Sequence, residues 1–551
     1  MKLFRVLALT VVGCAASPTS GDDAMPMPCT ARAGTFTAQP LAIGGTTRFY
    51  FLHVPDAARC TVSPLWIDFH GAATDLPEEQ SATNDAVAEA EAEGVILVRP
   101  RSLTGSDGVY RWDANDGDVD RNRLFVKELV ASLEGRYAID PTRVIVSGFA
   151  NGTVMAAQYM RGDELPVAGI ATIDGGYGET SPEVLARIPA RVYSVTGFRD
   201  YMTQTFAPLR DLYRAAQLGD DRWYWRQANT GHALYGWHLR ELVPWLLRGE
   251  RGDRGVLAGG WTDASILTSK AVLAAQATPS GLVLGASEGG AFRASGSAWA
   301  PIGALPATAH VTSLCSDGTN LFAAAETALF ESGDDGSTWT QLSNVPAPAG
   351  SKLGAAWLTA LDCAADRSVL AAGLWVGVES SDHAASWQPV PVPRNAEASA
   401  LDASIATLAR NATGTAVAGG AGYLGRRAAS GGFAALAMPI TPAWWNGVAA
   451  IGDHFWAVGD GGAIVASADD GVTWTVQTSP TTEDFYAVAF ADPLTGAAVG
   501  QHGAVVVTRD GGTTWTAVPF GIDGFLGAAT WLDAHTLLVA GEHGTVATHA
   551  F

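Results

Sequence analysis

The chain has 551 residues, 48% of them hydrophobic and 16% charged, and 55 acidic against 34 basic side chains give a net charge of −21. That length exceeds what one core fills, so two or three domains are expected, and the apolar fraction excludes a disordered chain. The acidic balance argues against nucleic acid, whose binding needs clustered Lys and Arg, and the apolar run at the N-terminus is too short to span a bilayer.

Lys2 and Arg5 precede that run, residues 6–12, and Gly13 and Cys14 follow it. A charged start, a short apolar stretch and a small residue form an export signal. Val11-Val12-Gly13-Cys14 resembles a bacterial lipobox. The resemblance implies a lipid on Cys14, with the rest of residues 1–26 as signal and tether. An ordinary secretory signal is the alternative. Both readings expect an exported protein, in the first held at the cell envelope through its lipid anchor alone and in the second secreted. Exported cysteines can pair. Cys29 and Cys60 bracket the first strand of the next domain, and a bridge there would contribute roughly 3–4 kcal/mol. Cys315 and Cys363 occupy equivalent points of adjacent repeats, compatible with a bridge or with two buried thiols. No cysteine pair has metal-ligand spacing, and neither metal nor cofactor is expected.

Residues 27–252 alternate between strands and helices. Strands are predicted over 48–54, 64–69 and 94–99. A helix follows over 120–137, its apolar stripe formed by Phe125, Val126, Leu129, Val130 and Leu133. Apolar runs at 167–173 and 190–196 and a helix over 237–248 complete the segment. Such alternation predicts a mainly parallel sheet covered on both faces, with ligands at the carboxyl ends of its strands. Within it, Gly148-Phe149-Ala150-Asn151-Gly152 has the G-x-S-x-G frame of a nucleophile elbow with alanine in the serine position. A predicted strand over 143–147 runs into it and a predicted helix over 153–160 leaves it, as an elbow requires. Ala150 has no oxygen to attack with. Ser147 on the strand and Thr153 on the helix are not placed to substitute.

Leu65-Trp66-Ile67-Asp68-Phe69-His70-Gly71, the run 141–148 into the elbow, Thr196-Gly197-Phe198-Arg199-Asp200 and Thr230-Gly231-His232 together resemble the α/β-hydrolase family, in its polyhydroxybutyrate-depolymerase and feruloyl-esterase-like branch. The likeness covers nearly all of residues 27–252. It implies that Asp200 orients His232, that His232 is a general base, and that backbone N–H groups of Asn151 and of the Gly71-Ala72 loop hold an oxyanion. With Ala150 at the elbow this triad is vestigial. Taken singly, Asp200 reads as a turn cap and His232 as a hydrogen-bonded core histidine; their order after the elbow favours the triad.

Residues 255–551 are repetitive, with a period of about 40–48. Ser332 to Trp339, Ser467 to Trp474 and Thr508 to Trp515 share one pattern, Ser380 to Trp387 is a worn copy, and stretches ending at Trp299 and Phe433 are more worn. The pattern is that of the Asp-box, or BNR, repeat, in which Asp334, Asp382, Asp469 and Asp510 would close tight hairpins and Trp339, Trp387, Trp474 and Trp515 would plug the gap between strands. Four-stranded propeller blades are expected, and a strand near 256–262 would complete the last unit and close a seven-bladed ring. The last two full units look most like the propeller of Ycf48-like photosystem assembly factors. Sialidases carry the same box and clamp a carboxylate with three arginines. Arg293, Arg367, Arg394, Arg410, Arg426, Arg427 and Arg509 supply candidates in worn or loop positions, and Arg187-Ile188-Pro189 falls in the other half.

The expected protein is therefore a monomeric binding or scaffolding pseudoenzyme that recognises an extracellular polymer, glycan or protein. A carboxylic ester hydrolase is the alternative, and a propeller glycosidase is disfavoured.

Overall fold

The computed structural model of the chain describes residues 31–73, 84–112, 116–161, 165–175, 182–197 except 189, 221–228, 232, 234, 236–250, 255–266 and 271–551, with short breaks between 288 and 443. Cys14, Cys29, Asp200 and Arg394 lie outside the described residues. Cys60 is disulfide-bonded.

The first half builds one eight-stranded sheet. Its strands are β1 (Gly34–Ile43), β2 (Thr46–Val54), β3 (Ser63–Phe69), β4 (Ile96–Pro100), β5 (Ile139–Phe149), β6 (Gly169–Ile173), β7 (Arg191–Gly197) and β8 (Trp223–Ala228). The spatial order is β1-β2-β4-β3-β5-β6-β7-β8. β1, β2 and β4 pair antiparallel; every other neighbour is parallel. From β3 the chain steps one way to β4 and later the other way to β5. The carboxyl ends of β3 and β5 thus flank a switch point, where such sheets leave a crevice. Alternation along β3 sends Leu65, Ile67 and Phe69 to one face and Trp66 to the other. The first face is covered by α1 (Asp116–Glu134), through Phe125 and Leu129, and by α2 (Thr153–Gln158), through Met155. The second is covered by α3 (Gly236–Arg248), through Leu239, Leu242 and Leu246.

The second half is a ring of seven four-stranded sheets. Six blades are each built from consecutive strands. The seventh takes its three inner strands from Leu526–Trp531, Thr536–Gly541 and Val546–Ala550, and its outer strand from Trp261–Asp263. The closing strand is shorter than the expected 256–262. Trp261 pairs with His549 and Thr262 with Thr548, and the Trp261 ring stands edge-on to Phe520 at 5.0 Å.

Every innermost strand carries a bulge at the same place, between Val272/Ala274, Val311/Ser313, Leu358/Ala360, Ile405/Thr407, Trp445/Gly447, Phe485/Ala487 and Leu526/Ala528. At Thr312, Thr359 and Asn446 the unpaired residue reaches the next blade. The Thr312 hydroxyl reaches the Ala324 carbonyl of its own blade at 3.3 Å and the Leu358 carbonyl of the next at 3.0 Å. Asn446 Nδ2 likewise donates to the Phe485 carbonyl at 2.9 Å. A disulfide between Cys315 and Cys363, Cα atoms 5.5 Å apart, joins two innermost strands and resolves the alternatives left open by spacing. Closing a loop of that size is worth about 4 kcal/mol in the chain-entropy model.

Four outer hairpins share one hydrogen-bond pattern. In the first, Asp334 Oδ1 accepts the Thr338 N–H at 2.7 Å, Oδ2 accepts the Thr338 hydroxyl at 2.6 Å, and Ser332 Oγ donates to Oδ1 at 2.8 Å while accepting the Gly336 N–H at 2.7 Å. Asp382, Asp469 and Asp510 repeat it. The next residue is left-handed in all four: Asp335 at φ 59°, His383 at 63°, Asp470 at 62° and Gly511 at 70°. It faces the preceding blade. Asp335 accepts the Ser280 N–H and pairs with Arg293; Asp470 accepts from Asn411, Thr415 and Arg426; His383 Nδ1 lies 3.4 Å from Asp317. Trp387, Trp474 and Trp515 are buried against these hairpins and Trp339 is half-buried.

The Thr338 and Thr473 hydroxyls hold the carboxyls of Asp334 and Asp469 at about 2, and Asp382 and Asp510 are also lowered by their hairpin donors. A carboxyl whose folded value lies below its unfolded value near 3.9 stabilises the fold above about pH 4. That stabilisation is lost as pH falls through about 2. The tryptophan fluorescence of the ring is expected to report a transition between about pH 4 and 2, shallower in Asp469→Asn than in the parent chain.

Candidate functional site

β5 ends at Phe149, and Ala150 follows with φ 49°, the left-handed region where a non-glycine residue costs roughly 1–2 kcal/mol. A single 3-10 turn, Ala150–Gly152, leads directly into α2. The flanking glycines are steric requirements. A Cβ on Gly152 would fall on the Phe69 carbonyl oxygen, and one on Gly148 on the Gly152 carbonyl. Thr153 Oγ1 donates to the Ala150 carbonyl at 2.6 Å and holds the turn from below.

The loop after β3 lies directly against this tip. A Cβ on Gly71 would sit 3.3 Å from the Ala150 methyl and 3.1 Å from the Phe149 ring. His70 sets the loop's orientation. The Ser102 N–H donates to its Nε2 at 3.1 Å, so the ring proton is on Nδ1, which donates to the Gly71 carbonyl at 2.6 Å. Burial pushes the His70 imidazole down to about 4, so the ring is neutral at pH 7 and the tautomer is stable. This bond fixes the Gly71-Ala72 peptide plane, and with it the direction of the Ala72 N–H. The Asn151 side chain is committed to the Trp112 backbone: Oδ1 accepts the Trp112 N–H at 2.5 Å and Nδ2 donates to its carbonyl at 3.1 Å. Trp112 Nε1 in turn donates to the His70 carbonyl at 3.0 Å.

Under the tip is a buried polar cluster. Ser147 Oγ donates to Asp68 Oδ1 at 2.5 Å and accepts from Trp66 Nε1 at 2.7 Å. Arg99 Nε donates to Asp68 Oδ2 at 2.5 Å. Ser147 is fully buried in this cluster, on the face opposite α2. The two hydroxyls nearest Ala150 in sequence, those of Ser147 and Thr153, therefore both have fixed structural partners.

His232 is half-buried, its ring 5.1 Å from that of Phe149 and tilted by 38°. The structure thus gathers Gly71, Ala72, Ala150, Asn151 and, through Phe149, His232 at the carboxyl ends of β3 and β5. Asp174 was not singled out by sequence reasoning. It follows β6, is buried with φ 46°, and accepts the Gly197 N–H on Oδ1 at 2.7 Å. Its neighbour Gly175 packs on the Ala150 carbonyl. An acidic residue directly after a buried strand was the available signal.

The propeller meets the sheet beside this region. Leu239 and Leu242 of α3, Tyr224 of β8 and the ring residues Ala271, Leu273, Tyr486 and Phe525 belong to one buried cluster. Two histidines at the same left-handed position of adjacent blades reach across: His502 Nε2 lies 2.6 Å from Arg240, and His543 Nε2 lies 2.6 Å from the Tyr224 hydroxyl. The axial channel of the ring encloses about 230 Å³ and is lined by uncharged residues, including Thr312, Thr359, Thr407, Asn446 and Tyr486. The arginines weighed for a carboxylate clamp are paired elsewhere, Arg293 with Asp335, Arg410 with Asp362, Arg426 with Asp470 and Arg427 with Glu379. Arg509 lies over Trp531 and Phe551, and Arg367 sits in a left-handed turn.

No family model matches the chain. It is 29% identical over 178 residues to NocK of Nocardia uniformis subsp. tsuyamanensis, a protein named as an esterase, covering 30% of this chain and 49% of NocK. It is 29% identical over 133 residues to poly(3-hydroxyalkanoate) depolymerase C of Paucimonas lemoignei, covering 23% of this chain and 31% of that protein. A bifunctional acetylxylan esterase/xylanase of Neocallimastix patriciarum is 26% identical over 184 residues, covering 32% of this chain and 26% of that one. The chain thus spans half or less of the length of the curated relatives it matches. Among solved structures, YCF48 from Cyanidioschyzon merolae is 14% identical with a TM-score of 0.43, covering 53% of this chain and 99% of that one. A GH74 xyloglucanase from Xanthomonas campestris is 18% identical with a TM-score of 0.40, covering 53% of each.

The buried cluster supports the tip on which this arrangement rests. Asp68→Asn removes the carboxylate that Arg99 and Ser147 share, and breaking a buried ion pair costs about 3–5 kcal/mol. Urea unfolding followed by far-UV circular dichroism should show a loss of that size.

Proposed function

We propose that the chain is an exported binding or scaffolding protein in which an α/β-hydrolase-type unit, of the depolymerase and feruloyl-esterase-like kind, has kept its pocket and lost its nucleophile. The observation that carries this reading is the Ala150 methyl group at the left-handed tip of the β5–α2 turn, facing Gly71 so closely that a Cβ there would lie 3.3 Å from it. Serine at that point would present its hydroxyl to a carbonyl carbon resting in the crevice. Alanine presents a surface that can hold an ester without attacking it.

In this reading an ester or amide oxygen is received by the backbone N–H groups of Asn151 and Ala72, oriented by His70. His232 is a general base with no proton to take, and Asp200 is its orienting acid. The ligand is an extracellular polymer, glycan or protein. The names of the relatives, which include a poly(3-hydroxyalkanoate) depolymerase and an acetylxylan esterase/xylanase, support a polymer that carries ester bonds. The propeller, with its Asp-box hairpins, serves as a rigid second binding face, and a lipid on Cys14 would hold the whole at the envelope.

The same names favour one competing reading, a carboxylic ester hydrolase. It would have to activate water on His232 without a covalent intermediate; in serine hydrolases stripped of their whole triad the oxyanion hole and substrate binding alone leave about 10³–10⁴ over water.

Hydrolysis of p-nitrophenyl acetate and methyl ferulate by the parent chain, Ala150→Ser, His232→Ala and the double variant separates the two. The parent is expected at background. Ala150→Ser is expected at least about 10³-fold above it, because the nucleophile contributes up to about 10⁶ in turnover, and the double variant back at background. Turnover by the parent chain that His232→Ala abolishes would overturn the pseudoenzyme reading in favour of the hydrolase. Background activity in all four would overturn the vestigial triad.

A further inference from the structure

Where the sheet and the ring meet, three side chains of metal-ligand type converge. Glu542 and His543 come from the turn between the last two strands of the closing blade, and Glu241 comes from α3. One ligand atom of each lies within 4.8 Å of the other two. Glu542 is buried; Glu241 and His543 are half-buried. The set is mixed, two carboxylates and an imidazole, and is drawn from both large units of the chain.

The surroundings orient these ligands. The Phe525 N–H donates to Glu542 Oε2 at 3.2 Å, which turns Oε1 towards His543 Nε2, 3.5 Å away. The Tyr193 hydroxyl donates to Glu241 Oε2 at 3.0 Å. The Tyr224 hydroxyl, 2.6 Å from His543 Nε2, stands beside the same point. The bonds to Glu542 Oε2 and Glu241 Oε2 leave the second oxygen of each carboxylate to point inward, as such bonds do in metal sites, whereas the Tyr224 hydroxyl occupies His543 Nε2 itself and gives way when an ion binds there. The neighbouring blades have the same turn with other side chains. Gln501-His502 replaces Glu542-His543 in one, where the Gln501 amide accepts the Tyr486 hydroxyl and His502 bonds Glu483; Asp460-Gly461 replaces it in the next. Of these three blades, the closing one alone sets a carboxylate–histidine pair against a third ligand on α3, and among the described residues no other such group of three is found.

We propose that this seam is a divalent transition-metal site that clamps the sheet to the ring, with His543 Nε2, Glu542 Oε1 and a carboxylate oxygen of Glu241 as ligands. Two carboxylates and a neutral imidazole balance a 2+ ion in a half-buried position. Nitrogen beside oxygen favours zinc, manganese or cobalt over calcium and magnesium, which take oxygen sets. Three protein ligands leave a position for water or the Tyr224 oxygen. Because the ligands come from both units, binding stabilises their docked arrangement by mass action. The clamp is independent of any chemistry at Ala150.

The full chain, stripped with EDTA, is titrated with Zn²⁺, Co²⁺ and Ca²⁺ by calorimetry and thermal denaturation, with the visible spectrum of the Co²⁺ form as a probe of imidazole ligation. One equivalent of Zn²⁺ is expected to bind at micromolar concentration or tighter and to raise Tm by several degrees, with Ca²⁺ doing neither. His543→Ala and Glu241→Gln should each weaken binding at least tenfold and change the Co²⁺ spectrum. His502→Ala, at the same turn of the next blade, should keep both. Circular dichroism of each variant before metal addition establishes that it is folded. Absence of stoichiometric uptake by the folded parent chain would overturn the clamp, as would uptake unchanged in both His543→Ala and Glu241→Gln.

Discussion

The ring depends on three residues that arrive before it begins. Trp261, Thr262 and Asp263 supply the outer strand of the blade whose other strands are the last in the chain. Without that strand the seventh sheet has an open edge and the circle has a free end. The closure also fixes where the first unit can lie. The chain leaves α3 at Arg248 and enters the ring at Trp261, so α3 stays close to the closing blade and its neighbours. Of the ring residues that meet the sheet, His502, Tyr486, Phe525 and His543 come from the last two blades, and Ala271 and Leu273 from the start of the first blade, which adjoins the closing one on its other side. Topology places the interface, and side-chain chemistry then refines it.

Within the ring, stability is divided between contacts inside a blade and contacts between blades. The hairpin carboxylates act inside: Asp334, Asp382, Asp469 and Asp510 each receive a backbone and a hydroxyl proton from the same turn. The following residue acts between blades. Its left-handed backbone costs energy at Asp335, His383 and Asp470, offset by the hydrogen bonds and ion pairs each makes with the previous blade. The bulges perform the same service at the axis, where Thr312, Thr359 and Asn446 tie one innermost strand to the next. Buried backbone groups at the inner and outer ends of the blades thereby find partners that a four-stranded sheet alone does not offer.

The left-handed turn at Ala150 is held by main-chain contacts and not by the side chain of residue 150. What bends the backbone there is the close approach of Gly148 and Gly152 to neighbouring carbonyls, the Thr153 bond to the Ala150 carbonyl and the close packing of Gly175 on that same carbonyl. All of these act on main chain. A side-chain hydroxyl at residue 150 would be carried by this frame without helping to hold it. The neutral His70 and the Asp68–Ser147–Arg99 cluster belong to the same supporting frame.

Periodicity alone made much of this protein legible. Alternating strands and helices predicted a mainly parallel sheet with two covered faces, and the order of strands follows from short crossovers of one hand. The G-x-A-x-G frame located the turn because its glycines answer a local steric demand. The hairpin pattern located the blades for the same reason: its hydrogen bonds close within a few residues. Some contacts between distant parts of the chain were legible through the repeat: the strand near 256–262 was expected to complete the last blade, and Cys315 and Cys363 stood at equivalent points of adjacent units, where spacing left a bridge and two buried thiols both open. The meeting of Glu241 with Glu542 and His543 left no such trace, because nothing in the repeat or the strand pattern says which blade faces α3. Local chemistry, being short-ranged along the chain, was determined by the sequence itself; which surfaces face one another was decided only when the ring closed and the sheet docked, because burial is a property of the assembled whole.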